Sequence, residues 1–460
     1  MSTVMKFGGT SVADAAAFEN VARIVAAERE ASPVVVVSAM SGVTDSLLAA
    51  TMIAVEGKVD DAIASLEETF RRHQAVAKEL LLTPKAEKFA TLISRSAHHV
   101  ADLMHAIQQS PSRHKAIQDA VVSFGETLSS GLLTEVLGQR GIAARQVDAR
   151  RCIITNDEHT CAAPLMVETF THSEKELRPF LETGVVPVLE GFVGATTVGA
   201  TTTLGRGGSD YTASLIGAAL RAHEIQIWTD VTGVLTADPR VVPEAQTIER
   251  LSYSEAAELA YFGARVLHPK TIQPAIESCI PVRICNSRSP GVSGTLVGPQ
   301  TEASPRTVKA IAHKTGVTIV QITSARMLGA YGFLRALFEV FERHSTVVDV
   351  VTTSEVSVSL SLDDAARLAE IVEELERLGT VRVEKGRAII CVVGEGLSGT
   401  PGIAAKVFST ISDINVTLIS QGASSINFTF AIEEGRVNEA VKRLHEEFFG
   451  HEKAQKTQTE

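Results

Sequence analysis

The stretch Thr201-Thr202-Thr203-Leu204-Gly205-Arg206-Gly207-Gly208-Ser209-Asp210 decides the fold. A β-branched run enters a turn holding three glycines. Ser209 and Asp210 then open an apolar, Ala-rich segment, Tyr211 to Arg221, whose pattern predicts a helix. Strand, glycine turn and helix N-terminus in that order make an anion-binding corner, because glycine lets the backbone approach a ligand and the first helical N–H groups are free. Arg206 adds a planar fork suited to a carboxylate or phosphate. A dinucleotide fingerprint is excluded, since its third glycine is replaced here by Asp210, whose charge repels a pyrophosphate.

The same order of elements recurs at the N-terminus. Residues 3–7 predict a strand that delivers Lys6 to Gly8-Gly9-Thr10-Ser11, and Asp14 to Glu30 has helical spacing. A lysine at a strand end beside two glycines can neutralise a transferring phosphoryl group. Val34 to Val37 is a continuous apolar run of the kind buried on both faces of a parallel sheet, and small hydroxyl residues follow it at 38–45. Residues 58–120 predict two or three helices forming a lid or side subdomain, with their histidines on solvated faces. Phe124-Gly125-Glu126 is expected to open a further helix, placing Glu126 near its positive end. Strands are expected at Val185 to Leu189, ending in Glu190-Gly191-Phe192, and at Ile225 to Asp230, followed by a hairpin and turn over 231–240. A helix over Leu251 to Phe262 and a last strand over Ile280 to Cys285 complete this part. Alternating strands and helices give an α/β sandwich on a mainly parallel sheet, with ligands at the carboxyl ends of the strands.

Past Gly298-Pro299-Gln300 the pattern changes. A shift of seventy residues superposes Gly332 on Gly402, Phe338 on Phe408 and Ser354 on Ser424. Each unit reads as a small βαββαβ module; Val347 to Leu362 alternates like a half-buried antiparallel strand, and Asp363 to Leu378 like an amphipathic helix. The expected division is a catalytic domain at 1–298, modules at 310–388 and 389–450 whose strands may interleave, and a disordered tail at 451–460.

The chain has 460 residues, 45% of them apolar, enough for two or three domains. With 43 Lys and Arg against 54 Asp and Glu, its net charge of −11 argues against nucleic acid or an anionic membrane as partner. The N-terminus has no signal-peptide pattern and no apolar run is long enough to span a bilayer, so a cytoplasmic location is expected. Five scattered cysteines without a CxxC pair imply neither disulfides nor a structural zinc.

Five segments in order carry a resemblance. They are Lys6-Phe-Gly-Gly-Thr-Ser11, residues 37–44, the central glycine turn, Trp228-Thr-Asp-Val-Thr-Gly-Val234 and Phe262-Gly-Ala-Arg-Val-Leu-His-Pro269. Together they resemble the aspartate kinases of the amino acid kinase superfamily, and the repeats resemble their paired ACT domains. The resemblance implies transfer of the ATP γ-phosphoryl group to the β-carboxylate of L-aspartate, the first step towards lysine, threonine and methionine, with Mg2+ bound to ATP. By position it implies that Arg206 holds the substrate α-carboxylate and that Glu126 and Asp210 hold its ammonium. Ser38, Ala39, Thr44, Phe192 and Ser209 would shape the pocket, and Lys6 and Asp210 would be the catalytic pair. Gly8, Gly9 and Ser11 would lie near the phosphates; Thr229, Asp230, Leu235, Arg240 and Arg265 would face the nucleotide. Leu235 stands where the family often has Tyr, and Arg265 where it often has Lys.

In the first repeat, Met327, Phe333, Leu334, Val348, Asp349, Thr353, Ser354 and Glu355 form a set similar to that of lysine-inhibited aspartate kinases, which implies L-lysine as effector. The second repeat has Ile419 and Ser425 where the first has Asp349 and Glu355, and so lacks carboxylates for a cationic ligand. The repeats also imply a homodimer or larger homo-oligomer, and no fused homoserine dehydrogenase is expected. Two alternatives remain at this point: another amino acid kinase, acting on acetylglutamate, glutamate or uridylate, and a non-catalytic amino-acid sensor.

Overall fold

The computed structural model describes residues 2–262, 267, 269–299, 307–329, 331–422 and 424–450. It separates into two compact units, Met1–Val234 with Glu249–Tyr253 and Val266–Gln300, and Leu235–Ile248 with Ser254–Arg265 and Thr301–Glu460. Two segments of the span expected to be catalytic, 235–248 and 254–262, thus cluster with the repeats. The expected tail lies outside the described residues.

The first unit is built on strands β1 (Thr3–Phe7), β2 (Pro33–Val37), β3 (Ala144–Val147), β4 (Ile154–Thr155), β5 (Val186–Glu190), β6 (Val193–Thr196), β7 (Thr201–Thr203), β8 (Glu224–Thr229), β9 (Arg250–Ser252), β10 (Val282–Asn286) and β11 (Thr295–Gly298). Eight of them form one sheet in the order β3-β5-β2-β1-β8-β10-β11-β9. It is parallel from β3 to β10, and only the β10–β11 pair is antiparallel. The four valines of β2 are fully buried, as a strand covered on both faces requires. The chain winds from β1 to one side through β2 and later crosses to β8 on the other, which opens a crevice at the carboxyl end of β1. Strands β4, β6 and β7 make a separate small sheet.

Several expectations need correction. Residues 58–120 are not a detached lid: Phe89, Ile93, Val100, Met104 and Ile107, at helical spacing along Thr83–Gln109, share one core with Met5, Phe7 and Val35. His73 there is fully buried, although His98 and His99 are exposed. The helix carrying Glu126 begins at His114 and runs to Gln139, so Glu126 sits in its middle and the dipole argument fails. Gly125 is there for contact, since a Cβ on it would lie 2.8 Å from the Ala39 Cβ. Leu251 belongs to β9, the helix spans Tyr253–Tyr261, and β11 follows β10. No hairpin ladder forms within 231–240; Leu235 instead makes an isolated antiparallel bridge with Thr247.

The second unit has strands β12 (Ala310–Thr323), β13 (Val351–Thr353), β14 (Ser357–Leu362), β15 (Thr380–Val393), β16 (Val416–Gln421) and β17 (Asn427–Glu433) in one antiparallel sheet ordered β13-β14-β12-β15-β17-β16. Val347 to Leu362 is therefore a hairpin, β13 and β14, rather than one strand. The two long strands are shared. The first half of β12 pairs with the second half of β15, and that half of β15 pairs with β17. The strands of the two repeats interleave, and the expected boundary at 388/389 falls inside β15. Each half keeps its own core, one around Leu337, Phe341 and Leu360, the other around Val407, Phe428 and Phe430.

Candidate active site

A cavity of about 770 Å³ lies in the first unit. It is lined by the loops that follow β1, β2, β5 and β8, by the helix His114–Gln139 and by the glycine turn before the helix Gly208–Leu220. Of the expected site residues it gathers Lys6, Gly8, Gly9, Ser38, Ala39, Thr44, Glu126, Phe192, Arg206, Ser209, Asp210, Thr229 and Asp230.

Backbone geometry explains the glycines. Gly205 and Gly207 have φ of 75° and 74°, left-handed values that admit the sharp entry into the helix. Gly9 packs against β2's loop: a Cβ on it would meet the Ala39 carbonyl at 2.9 Å, and its own carbonyl accepts from the Ser41 N–H at 3.2 Å. On Gly191 a Cβ would fall 2.6 Å from the Ser209 Cβ, and on Gly208 it would fall 2.5 Å from the Phe192 ring. Phe192 itself has φ 69°, a strained value for a non-glycine residue, held by the Thr212 hydroxyl accepting its N–H at 3.0 Å.

Charge is concentrated in this cavity. The Lys6 ammonium pairs with Asp210 at 2.6 Å, both side chains mostly buried. Glu126 is 3% exposed and its Oε2 has no hydrogen-bond partner. Burial pushes its carboxyl up to about 8; the Ala39 backbone and Thr44 hydroxyl oppose that shift, and the nearby Glu190 carboxyl adds to it. Glu190, at the end of β5, is pushed up to about 7, again chiefly by burial. It accepts from the Ala149 N–H at 2.8 Å and from the Gln146 amide at 3.3 Å. The site therefore holds two cations, Lys6 and Arg206, facing acidic groups, one of which is starved of a partner.

Other expected residues lie elsewhere. Ser11 is buried and donates to Ser287 Oγ at 2.9 Å instead of lining the cavity. Leu235 and Arg240 fall in the second unit, where the Arg240 guanidinium pairs with Asp238 at 2.6 Å. Arg265 lies outside the described residues. Sequence reasoning missed Gln118, Val122, Thr160 and Thr203, which also line the cavity. Val122 and Glu126 are four apart on one helix face, a signal that a helix begun at His114 would have shown.

The expected effector residues divide. Met327, Phe333 and Val348 pack on the core of the first repeat, while Leu334, Thr353, Ser354 and Glu355 are exposed. Asp349 is already engaged. It accepts from the Tyr261 hydroxyl, and Lys314 Nζ stands 3.4 Å from it and 4.9 Å from the centre of the Tyr261 ring.

The doubly wound sheet with a glycine-lined, doubly cationic cavity at its carboxyl end defines a class: the model of the amino acid kinase family matches residues 1–286, and an ACT domain model matches 390–448. Among relatives, aspartokinase 1, chloroplastic, of Arabidopsis thaliana is 39% identical over 98% of this chain and 80% of its own length. The lysine-sensitive aspartokinase 3 of Escherichia coli is 38% identical over 97% and 99%. The crystal structure of E. coli aspartokinase III with aspartate and ADP (R-state) superposes with a TM-score of 0.83 at 36% identity, covering 98% of this chain and 100% of that one. The same enzyme with lysine and aspartate (T-state) gives 0.81 at 37%, covering 97% and 99%. The chain belongs to the aspartokinases of the amino acid kinase family, and is thus a phosphotransferase with a carboxyl group as acceptor. Among the described residues no helix is long and apolar enough to cross a membrane.

Proposed function

We propose that the 770 Å³ cavity is where the chain transfers the ATP γ-phosphoryl group to the β-carboxylate of L-aspartate, giving 4-phospho-L-aspartate on the route to lysine, threonine and methionine. The observation that carries this is the meeting of Lys6, Glu126, Arg206 and Asp210, from three distant parts of the sequence, around one glycine-lined space. Arg206 holds the α-carboxylate with its fork. Glu126 and Asp210 take the ammonium, and Glu126, buried with an unpartnered oxygen, is the acceptor an ammonium would complete. Ser38, Ala39, Thr44, Phe192 and Ser209 close around the carbon chain.

Lys6 is held by Asp210 before substrate arrives. An ammonium taking a share of Asp210 loosens that pair and leaves Lys6 free to neutralise the transferring phosphoryl group. The turn at Gly8 and Gly9 lets a phosphate come close to the Lys6 ammonium, which lies 3.5 Å from where a Cβ on Gly8 would be. Thr229 and Asp230 line the nucleotide side. Mg2+ would arrive on the ATP phosphates and spread their charge. The acceptor is a carboxylate, already a nucleophile at neutral pH, so positioning and charge stabilisation carry the catalysis.

L-lysine is the proposed effector, bound at the first repeat around Asp349. That carboxylate already accommodates an ammonium, that of Lys314 beside the Tyr261 ring, which an incoming lysine side chain could replace. Leu328, Tyr331, Phe338 and Val347 of the same repeat are exposed apolar side chains, which supports pairing of two chains through these modules. The proposed organisation is a catalytic domain over 1–298, of which 235–248 and 254–262 cluster with the second unit, and ACT-like modules over 310–388 and 389–450 whose strands interleave through β12 and β15. Arg206→Lys tests the substrate assignment: aspartate KM should rise at least tenfold with ATP KM within about twofold. A rise in ATP KM instead would make Arg206 a phosphate ligand.

A further inference from the structure

Asp119 is fully buried in the helix His114–Gln139 and is not among the cavity-lining side chains, yet every partner of its carboxylate belongs to the wall of the cavity or its supports. Its Oδ1 accepts from the Thr203 hydroxyl at 2.5 Å, and its Oδ2 from His159 Nδ1 at 2.8 Å. The Thr160 N–H donates to both oxygens, at 3.1 and 3.0 Å. Thr203 and Thr160 line the cavity. Thr160 has φ 75°, a left-handed value that a β-branched residue rarely adopts unless its surroundings hold it there.

Thr203 is the last residue of β7, and Leu204 to Gly207, the turn that carries Arg206, follows directly. The Thr203 carbonyl accepts from the Ala162 N–H at 2.9 Å, and a Cβ on Gly205 would lie 3.1 Å from Cys161 Sγ, so the 157–163 loop and the Arg206 turn are packed against each other. Asp119 itself lies seven residues before Glu126, two turns along the same helix face. One carboxylate therefore ties the helix bearing Glu126 to the strand end that launches Arg206 and to the loop beside it.

We propose that Asp119 is a positioning residue for substrate recognition: by clamping Thr203 and the strained Thr160 it sets the spacing between the Arg206 turn and Glu126. This rests on the reading that those two residues hold the amino acid substrate. A buried carboxylate suits the task because it is acceptor only, and it meets four donor contacts from three neighbours without offering a donor that would need a partner of its own. Asparagine has the same shape but turns one acceptor into a donor, so one of the two Thr160 N–H contacts is lost and His159 must either lose its bond or switch tautomer.

The test compares Asp119→Asn, Thr203→Val and Thr203→Ser with Arg206→Lys in steady-state kinetics for both substrates, with thermal unfolding in parallel. Asp119→Asn should raise aspartate KM about tenfold, leave ATP KM within twofold and lower kcat less than KM rises. Thr203→Ser, which keeps the hydroxyl, should stay within about threefold of wild type. The double variant Asp119→Asn/Thr203→Val should be no worse than the more damaging single one, because both break the same clamp. Multiplied effects would mean that Thr203 acts directly on substrate and would overturn the inference. So would a loss of stability with unchanged KM, or equal losses for both substrates. Should Asp119→Asn not accumulate as folded protein, the contrast of Thr203→Val with Thr203→Ser decides: equal KM values for the two refute the clamp. Failure of the underlying assignment reads differently, because Arg206→Lys and Asp119→Asn would then raise ATP KM together; failure of the clamp alone shows as Arg206→Lys moving aspartate KM while Asp119→Asn does not.

Discussion

Aspartate binding should release a proton, and Glu126 should be its source. In the free protein burial holds the Glu126 carboxyl up to about 8, so at pH 7 about nine-tenths of it is protonated. An ammonium placed against the orphaned Oε2 favours the carboxylate and expels that proton. The neutral form must first be deprotonated, which weakens apparent affinity by about tenfold at pH 7 and hardly at all above the pKa. The dissociation constant for aspartate should therefore fall about eightfold between pH 7 and pH 8.5. Titration calorimetry at pH 7 in buffers of different ionisation enthalpy counts the released protons directly. Wild type should release close to one, and Glu126→Gln almost none, with aspartate binding that is weak and flat across this pH range. Proton release that survives in Glu126→Gln would assign it to another group, Glu190 being next, and a pH-independent wild-type affinity would refute the pairing of Glu126 with the ammonium.

The same carboxyl makes stability depend on pH. Its folded pKa lies above its unfolded value, so its contribution is fully present below about 4.5 and is lost as pH rises to about 8; Glu126→Gln should gain on wild type across that window, by roughly 5 kcal/mol at the limit, and urea unfolding at pH 5 and 8.5 that shows no growing difference would sink this. Gly191→Ala must displace Ser209, since the new Cβ falls 2.6 Å from the Ser209 Cβ, and should raise aspartate KM more than ATP KM; unchanged kinetics would remove Ser209 from the pocket wall. Asp349→Ala should abolish inhibition by millimolar L-lysine while leaving uninhibited kcat within about twofold, and an enzyme that ignores lysine but responds to threonine would refute the effector assignment.

What the sequence made legible was local. The valine run of β2 and the glycine corners after β1 and β7 rest on short-range patterns, the seventy-residue repeat on self-similarity between two local patterns, and each has its counterpart in the structure. Errors arose where a residue's reason lies in a distant neighbour. Gly125 looks like a helix start because glycine usually breaks helices; it sits mid-helix because Ala39 leaves no room for a Cβ. The helices of 58–120 resemble a separate body until their apolar stripe is seen to join the core of β1 and β2. Ser11 has the hydroxyl of a phosphate ligand, but its partner is Ser287, whose approach no local pattern announces. Asp119 carries no sequence signal at all, since its donors come from residues 159, 160 and 203.

Lys6, working in this cavity, is proposed to carry phosphoryl transfer to aspartate. Hydroxylamine trapping of the acyl phosphate, with ATP, Mg2+ and L-aspartate all saturating, measures that chemistry in wild type and Lys6→Ala. Aspartyl hydroxamate should form only when all three reactants are present, and kcat should be lower by on the order of 10² in Lys6→Ala with little change in aspartate KM. Hydroxamate formed only from another acceptor, or a Lys6→Ala variant with near-normal kcat, would contradict it.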